Sequence, residues 1–200
     1  IQEYPPKAMT GYETYMEGGV FRVSASGNAS STYPPSRAFN KNSDYNDRWQ
    51  IENVGYDVTT GLYGGSNVLS SSSGTPSGEY LILSCPSKVC LRHYSVTPRN
   101  NSTYYDNQAP VDAEVWGSED DGSSWTFLHR FIGVSYASQT DTKHYTVSTD
   151  KYYSSFALIT TRNGGGSTAF GGISIGEWRL FGTPAPSSLE DGHLTLGKTL

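Results

Sequence analysis

The sequence predicts an all-β protein, a sandwich of two antiparallel sheets built from about eight short strands. Charged residues are only 16% of the 200 and helix-favouring Ala, Glu, Lys and Leu are sparse, whereas Gly (22) and Tyr (15) are plentiful. That composition suits short strands joined by Gly/Ser turns. Val111-Asp112-Ala113-Glu114-Val115-Trp116 alternates with the two-residue period of a strand that buries Val111, Ala113 and Val115. Asp120-Asp121-Gly122-Ser123-Ser124 then supplies side chains that hydrogen-bond their own backbone and a glycine free to take positive φ. The chain can therefore reverse before Trp125-Thr126-Phe127.

In chain order, residues 1–19 are rich in Pro, Tyr and Gly without clear periodicity and read as a lead-in segment. Phe21, Val23 and Ala25 alternate as a first strand. Residues 27–78 read mostly as loop, punctuated by Phe39, Trp49, Ile51 and Val54; a stretch that long inside a compact domain is either functional or conceals strands. Strands are expected at 79–84 and 89–97, then a polar loop at 98–110, the hairpin, and strands at 126–132, 143–147 and 154–161. Gly164-Gly165-Gly166 marks a loop before a last strand at 172–181. The domain is thus expected to span 20–183. Residues 184–200 shift to linker composition, and the alternating Leu194, Leu196 and Leu200 read as the start of a further domain.

Four segments in order carry a resemblance. Ser36-Arg37-Ala38-Phe39-Asn40 leads to Arg48-Trp49; then come Gly78-Glu79-Tyr80-Leu81-Ile82-Leu83, the turn Ser118-Glu119-Asp120-Asp121-Gly122-Ser123-Ser124-Trp125, and Ile173-Ser174-Ile175-Gly176-Glu177-Trp178-Arg179-Leu180-Phe181-Gly182. Together they resemble the discoidin family, also called the coagulation factor 5/8 type C domain, which overlaps a large group of carbohydrate-binding modules. The resemblance spans roughly residues 20–182 and implies a discoidin-like, jelly-roll-type β-sandwich with recognition loops at one end.

The formal charge of −5, without a Lys/Arg cluster, gives no electrostatic footprint for nucleic acid or an anionic membrane. No apolar run approaches the roughly 20 residues of a membrane span. Catalysis has little support: Asp120-Asp121 sits in a turn, where carboxylates serve turn chemistry, and His93, His129, His144 and His193 lack metal-ligand spacing. The protein is therefore expected not to be an enzyme. Tyr33, Tyr45, Tyr56, Tyr63, Tyr104 and Tyr105 fall in predicted loops, where their rings either fill wet surfaces or offer a flat apolar face to a sugar. The resemblance implies that an Arg, a His or Asn and an aromatic ring grip the sugar together, and Arg92, His93, Arg99, Arg162, Asn163 and Phe170 are the candidates; the arginines could equally pair with Asp44, Asp47 or Asp57.

The resemblance also implies a structural calcium ion, held by loop oxygens and an acidic residue of the last strand. Asn40, Asp44, Asp47 and Glu177 stand at those places, with Asn40 replacing the usual Asp. The alternative is an ordinary polar loop with Glu177 paired to Arg37 or Arg48. Cys85 and Cys90 would lie about 16 Å apart in one straight strand, too far for a disulfide; a bridge is possible only if Pro86-Ser87-Lys88 turns. Many discoidin-like domains join their two ends by a disulfide, and this chain has no cysteines there.

The expected function is a non-catalytic recognition module of a larger surface protein, binding glycans or glycoproteins at a cell surface or outside the cell. The alternative is an assembly module of a virus capsid, fibre or extracellular matrix that contacts neighbouring structural proteins, on a virion surface in the viral case. Residues 189–200 look similar to segments that follow discoidin-like regions in structural proteins of large algal DNA viruses.

Overall fold

The computed structural model describes residues 1–45, 47–166 and 170–186, and within them nearly all regular structure is antiparallel sheet. The spine is β5 (Glu79–Thr97), around which nine strands form one continuous hydrogen-bonded sheet that folds into the front and back sheets of the sandwich. Its first half lies between β3 (Gly19–Ala25) and β9 (Tyr153–Asn163), with Leu83 opposite Val23 and Phe156. Its second half lies between β8 (Lys143–Thr146) and β11 (Glu177–Pro184), with Tyr94 opposite Tyr145 and Leu180. The register shifts between Ser84 and Val89, where Pro86 has no N–H to give the ladder; a bulge there lets one strand leave the front sheet and enter the back one.

β2 (Glu13–Met16) extends the front sheet beyond β3, and β6 (Pro110–Ser118) and β7 (Thr126–Phe131) extend it beyond β9. β1 (Gln2–Tyr4) edges the back sheet by pairing with β11. The period-two pattern sends Leu81, Leu83, Phe156, Leu158, Ala113 and Val115 from the front and Leu91, Tyr94, Val96, Trp178 and Leu180 from the back into one core. Each fully buried aliphatic side chain there contributes roughly 1.5–3 kcal/mol.

The acidic hairpin forms as expected, and its turn chemistry is visible. Asp120 accepts hydrogen bonds from Ser118 Oγ (2.8 Å), Ser124 N (2.9 Å) and Ser124 Oγ (2.7 Å), which hold its carboxyl down at about 2. Asp121 and Gly122 take the positive φ values of 54° and 93°. On the outer face of the front sheet Trp116, Trp125, Ala157 and Ile159 form a second buried cluster. The serine-rich loop covers it: Leu69 packs on the cluster, Ser73 Oγ accepts the Trp125 backbone N–H at 2.9 Å, and Val68 bridges to Ser77.

Four expectations are corrected. The long loop at 27–78 conceals β4 (Trp49–Ile51) and a 3-10 turn, Pro35–Phe39. The segments 79–84 and 89–97 are one strand, so Cys85 and Cys90 are free, buried thiols rather than a disulfide. The last strand divides at Gly176 into β10 (Ile173–Ile175), which pairs with β4, and β11, which pairs with β5; a glycine is required there because the Pro98 carbonyl would stand 2.5 Å from any Cβ. The lead-in at 1–19 carries β1 and β2, so two of its segments are sheet. The alternation of Leu194, Leu196 and Leu200 and the resemblance at 189–200 lie outside the described residues.

Candidate functional site

Residues 98–109 after β5, and 164–166 and 170–172 after β9, meet beside the β6–β9 pair Pro110–Asn163, at one end of the sandwich. The β4–β10 ribbon closes this end. Trp49, Ile51, Ile173 and Ile175 point into the core, so strand alternation turns Gln50 and Ser174, which are paired in register, to the opposite side. A polar layer gathers on that side. Ser174 Oγ donates to Gln108 Oε1 (3.1 Å), which also accepts Arg99 Nη1 (3.0 Å), while Arg48 Nε donates to Gln50 Oε1 (2.6 Å) and Gln50 Nε2 donates to Glu52.

Aromatic rings cover this layer. Tyr33 lies 3.8 Å over the Arg48 guanidinium and Tyr104 4.5 Å over that of Arg99. Phe170 stands 6.3 Å from the Tyr104 ring, 51% exposed. Arg99 is buried and its pKa is lowered to about 10, first by desolvation and then by the neighbouring Arg48 charge; Tyr33, Tyr104 and Tyr45 lie close enough to oppose that shift. Exposed Tyr45 completes the rim.

Backbone geometry fixes the rim. Phe170 takes φ 51° and Asn53 φ 55°, and the Asn53 N–H donates to the Phe170 carbonyl at 3.0 Å. A bulky residue in left-handed conformation costs roughly 1–2 kcal/mol, a cost that the surrounding contacts must offset to hold this ring outward. Asn101 accepts the Tyr104 and Tyr105 N–H groups (3.1 and 3.0 Å), which shapes the other loop, and Asn100 Nδ2 donates to Ser43 O (2.8 Å) and ties it to the segment carrying Tyr45.

The sequence candidates therefore separate. Tyr104 and Phe170 come together, joined by Arg99, and Tyr105 follows in the same turn. Asn163 is buried and positions the Phe170 loop, donating to Gly172 O (2.5 Å) and accepting from Gly165 N (2.9 Å). Arg162 forks onto Asp112 at 2.7 and 2.9 Å, none of the three carboxylates offered for it. Arg92 donates to Thr149 O (2.9 Å) and His93 stacks on Phe181 (4.5 Å); both belong to the back sheet. Tyr56 and Tyr63 are structural, bonded to Thr160 O and Glu79. Arg48, read from sequence only as a motif residue or a partner for Glu177, is the addition. Its place beside the apolar-polar-apolar triplet Trp49-Gln50-Ile51 was the available signal.

The calcium candidates gather into a hydrogen-bonded network. Asp47 Oδ1 accepts from Arg37 Nη1 and Asn40 Nδ2 (2.8 Å each), Asp47 Oδ2 from Asn42 Nδ2 (2.7 Å), and Glu177 Oε1 from Asn42 N (3.0 Å). Asp44 is exposed. Hard cations need several free oxygens, and here N–H donors and the Arg37 charge already fill the Asp47 carboxylate. The Asp47 carboxylate is thus engaged by side-chain N–H donors, and the Glu177 carboxylate by one backbone N–H.

The architecture is the discoidin-like β-sandwich, the fold of family 32 carbohydrate-binding modules. Among solved structures similar to this chain is the family 32 module of Clostridium perfringens NanJ in complex with galactose, at 14% identity and TM-score 0.53, covering 80% of this chain and 92% of that one. A family 32 module from a family 31 glycoside hydrolase of the same bacterium matches at 16% identity and TM-score 0.58, over 88% and 99%. Chitosan-binding module 1 of a Paenibacillus chitosanase/glucanase matches at 14% identity and TM-score 0.55, over 88% and 98%. No family model and no curated protein sequence matches the chain.

Proposed function

We propose that this protein is a non-catalytic glycan-recognition module that holds a sugar at the loop end, against Phe170, Tyr104, Tyr33 and Tyr45, with Arg48 and Arg99 beneath. The observation that carries this reading is the Phe170 ring, held out in a left-handed backbone conformation next to Tyr104. An exposed ring offers its face to the C–H surface of a pyranose, and guanidinium forks beside it can donate to ring hydroxyls. Neighbouring folds give the reading a precedent, since one holds galactose and another is named for chitosan. Contact of this kind is shallow, and its strength comes from repetition across copies in a larger surface assembly outside the cell.

The full 200-residue chain, displayed multivalently on a glycan array, tests this. Selective binding is expected, with Phe170→Ala and Tyr104→Ala each weakening it about tenfold or more, the loss typical of a binding hot spot. A folded, multivalent chain that binds no glycan would overturn the reading, as would binding indifferent to both substitutions.

A further inference from the structure

We infer that the loop-end site takes a carboxylate-bearing sugar, a uronic or sialic acid residue in place of a neutral hexose, with the carboxylate docking on the guanidiniums of Arg48 and Arg99. This rests on the glycan-recognition reading of that site.

The two arginines are unlike the others of this chain, of which Arg92 also lacks an ion pair but is only half-buried and donates to Thr149 O. Arg22, Arg37, Arg130, Arg162 and Arg179 each hold a carboxylate and keep 31–60% of their side chains exposed. Arg48 and Arg99 are only 2% and 8% exposed, and among the described residues neither forms an ion pair. Each spends one donor on a neutral side-chain amide, Gln50 or Gln108. Arg48 Nη1 and Arg99 Nε are buried without any hydrogen-bond partner. Glu52, beside them, is bonded to the Gln50 amide and forms no ion pair with either guanidinium.

Two buried like charges with unspent donors leave both a charge and a hydrogen-bonding deficit. Sugar hydroxyls could satisfy the donors and would leave the charge uncompensated. A carboxylate supplies both, in the planar, two-oxygen shape that a guanidinium fork matches. Access is built in: Tyr33 and Tyr104 are only half-buried, so turning either ring outward uncovers the guanidinium beneath it and keeps an aromatic face beside the ligand.

Matched probes of the full chain test the inference: trigalacturonic acid against the corresponding galactotriose, and sialyllactose against lactose, by titration calorimetry. The carboxylated member of each pair is expected to bind at least about tenfold more tightly, as a charge-assisted fork implies. Arg48→Gln and Arg99→Gln should erase the preference, bringing the affinity for the carboxylated member of each pair down to that for the neutral one, with circular dichroism and thermal melting as the control that each variant is folded. Tyr104→Ala should weaken both members of a pair alike. Equal binding of acidic and neutral probes would overturn this inference alone, leaving glycan recognition standing. Galactose 6-sulfate binding as tightly as galacturonate would overturn the carboxylate class. Failure of the folded chain to bind any probe or array glycan would overturn recognition, and this inference with it.

Discussion

Glu177 sits on β11 at 4% exposure, and burial raises its carboxyl to about 8; the Asn42 N–H and the Lys41 and Arg179 charges offset only part of that. The folded-state value thus lies above the ordinary 4.5, so folding favours the protonated form. Its contribution to stability is complete below about pH 4.5 and is lost as the pH rises through 8. Glu177→Gln mimics the neutral form. Thermal melts should show the wild type losing stability between pH 5 and pH 8 relative to this variant, by on the order of 2–3 kcal/mol. Parallel pH profiles of the two proteins would show instead that Glu177 titrates normally. At this scale sequence was a partial guide. It named Tyr104, Phe170 and Arg99, whose types suit a sugar surface, and it also named Arg162, whose carboxylate partner lies 50 residues away across the β6–β9 pairing. Ion-pair partners set by sheet register are invisible to local spacing.

The elements that were legible are those whose signal is local. The β6–β7 hairpin was readable because alternation and turn chemistry occupy one stretch. β4 was not, since three residues carry no period and its strand character comes from pairing with β10 more than a hundred residues later. The bend of β5 likewise depends on which neighbours its two halves find. Close packing between these elements makes a direct test. Gly117 on β6 faces the buried Tyr153 of β9, and a Cβ there would stand 2.6 Å from the Tyr153 ring. Gly117→Ala should therefore lower stability by roughly 1–3 kcal/mol in chemical denaturation with an unchanged m-value, the cost of overpacking. An unperturbed midpoint would mean that the two strands can separate freely, contrary to the packing described.

For the molecule as a whole, the sandwich divides labour between a polar-faced body and one aromatic end. Composition and alternation foretold two antiparallel sheets, and the four ordered motifs foretold the discoidin-like arrangement. They did not foretell the Arg48–Tyr33 and Arg99–Tyr104 stacks, which arise only when the segments carrying Tyr33, Arg48, Arg99 and Tyr104 converge. The most direct test of the central claim is an amide chemical-shift map of the isotopically labelled chain titrated with a glycan that the array selects. Shifts confined to Tyr33, Tyr45, Arg48, Gln50, Arg99, Tyr104 and Phe170 are predicted. Shifts centred on Arg92, His93 and Phe181 of the back sheet, with the loop end silent, would contradict the account.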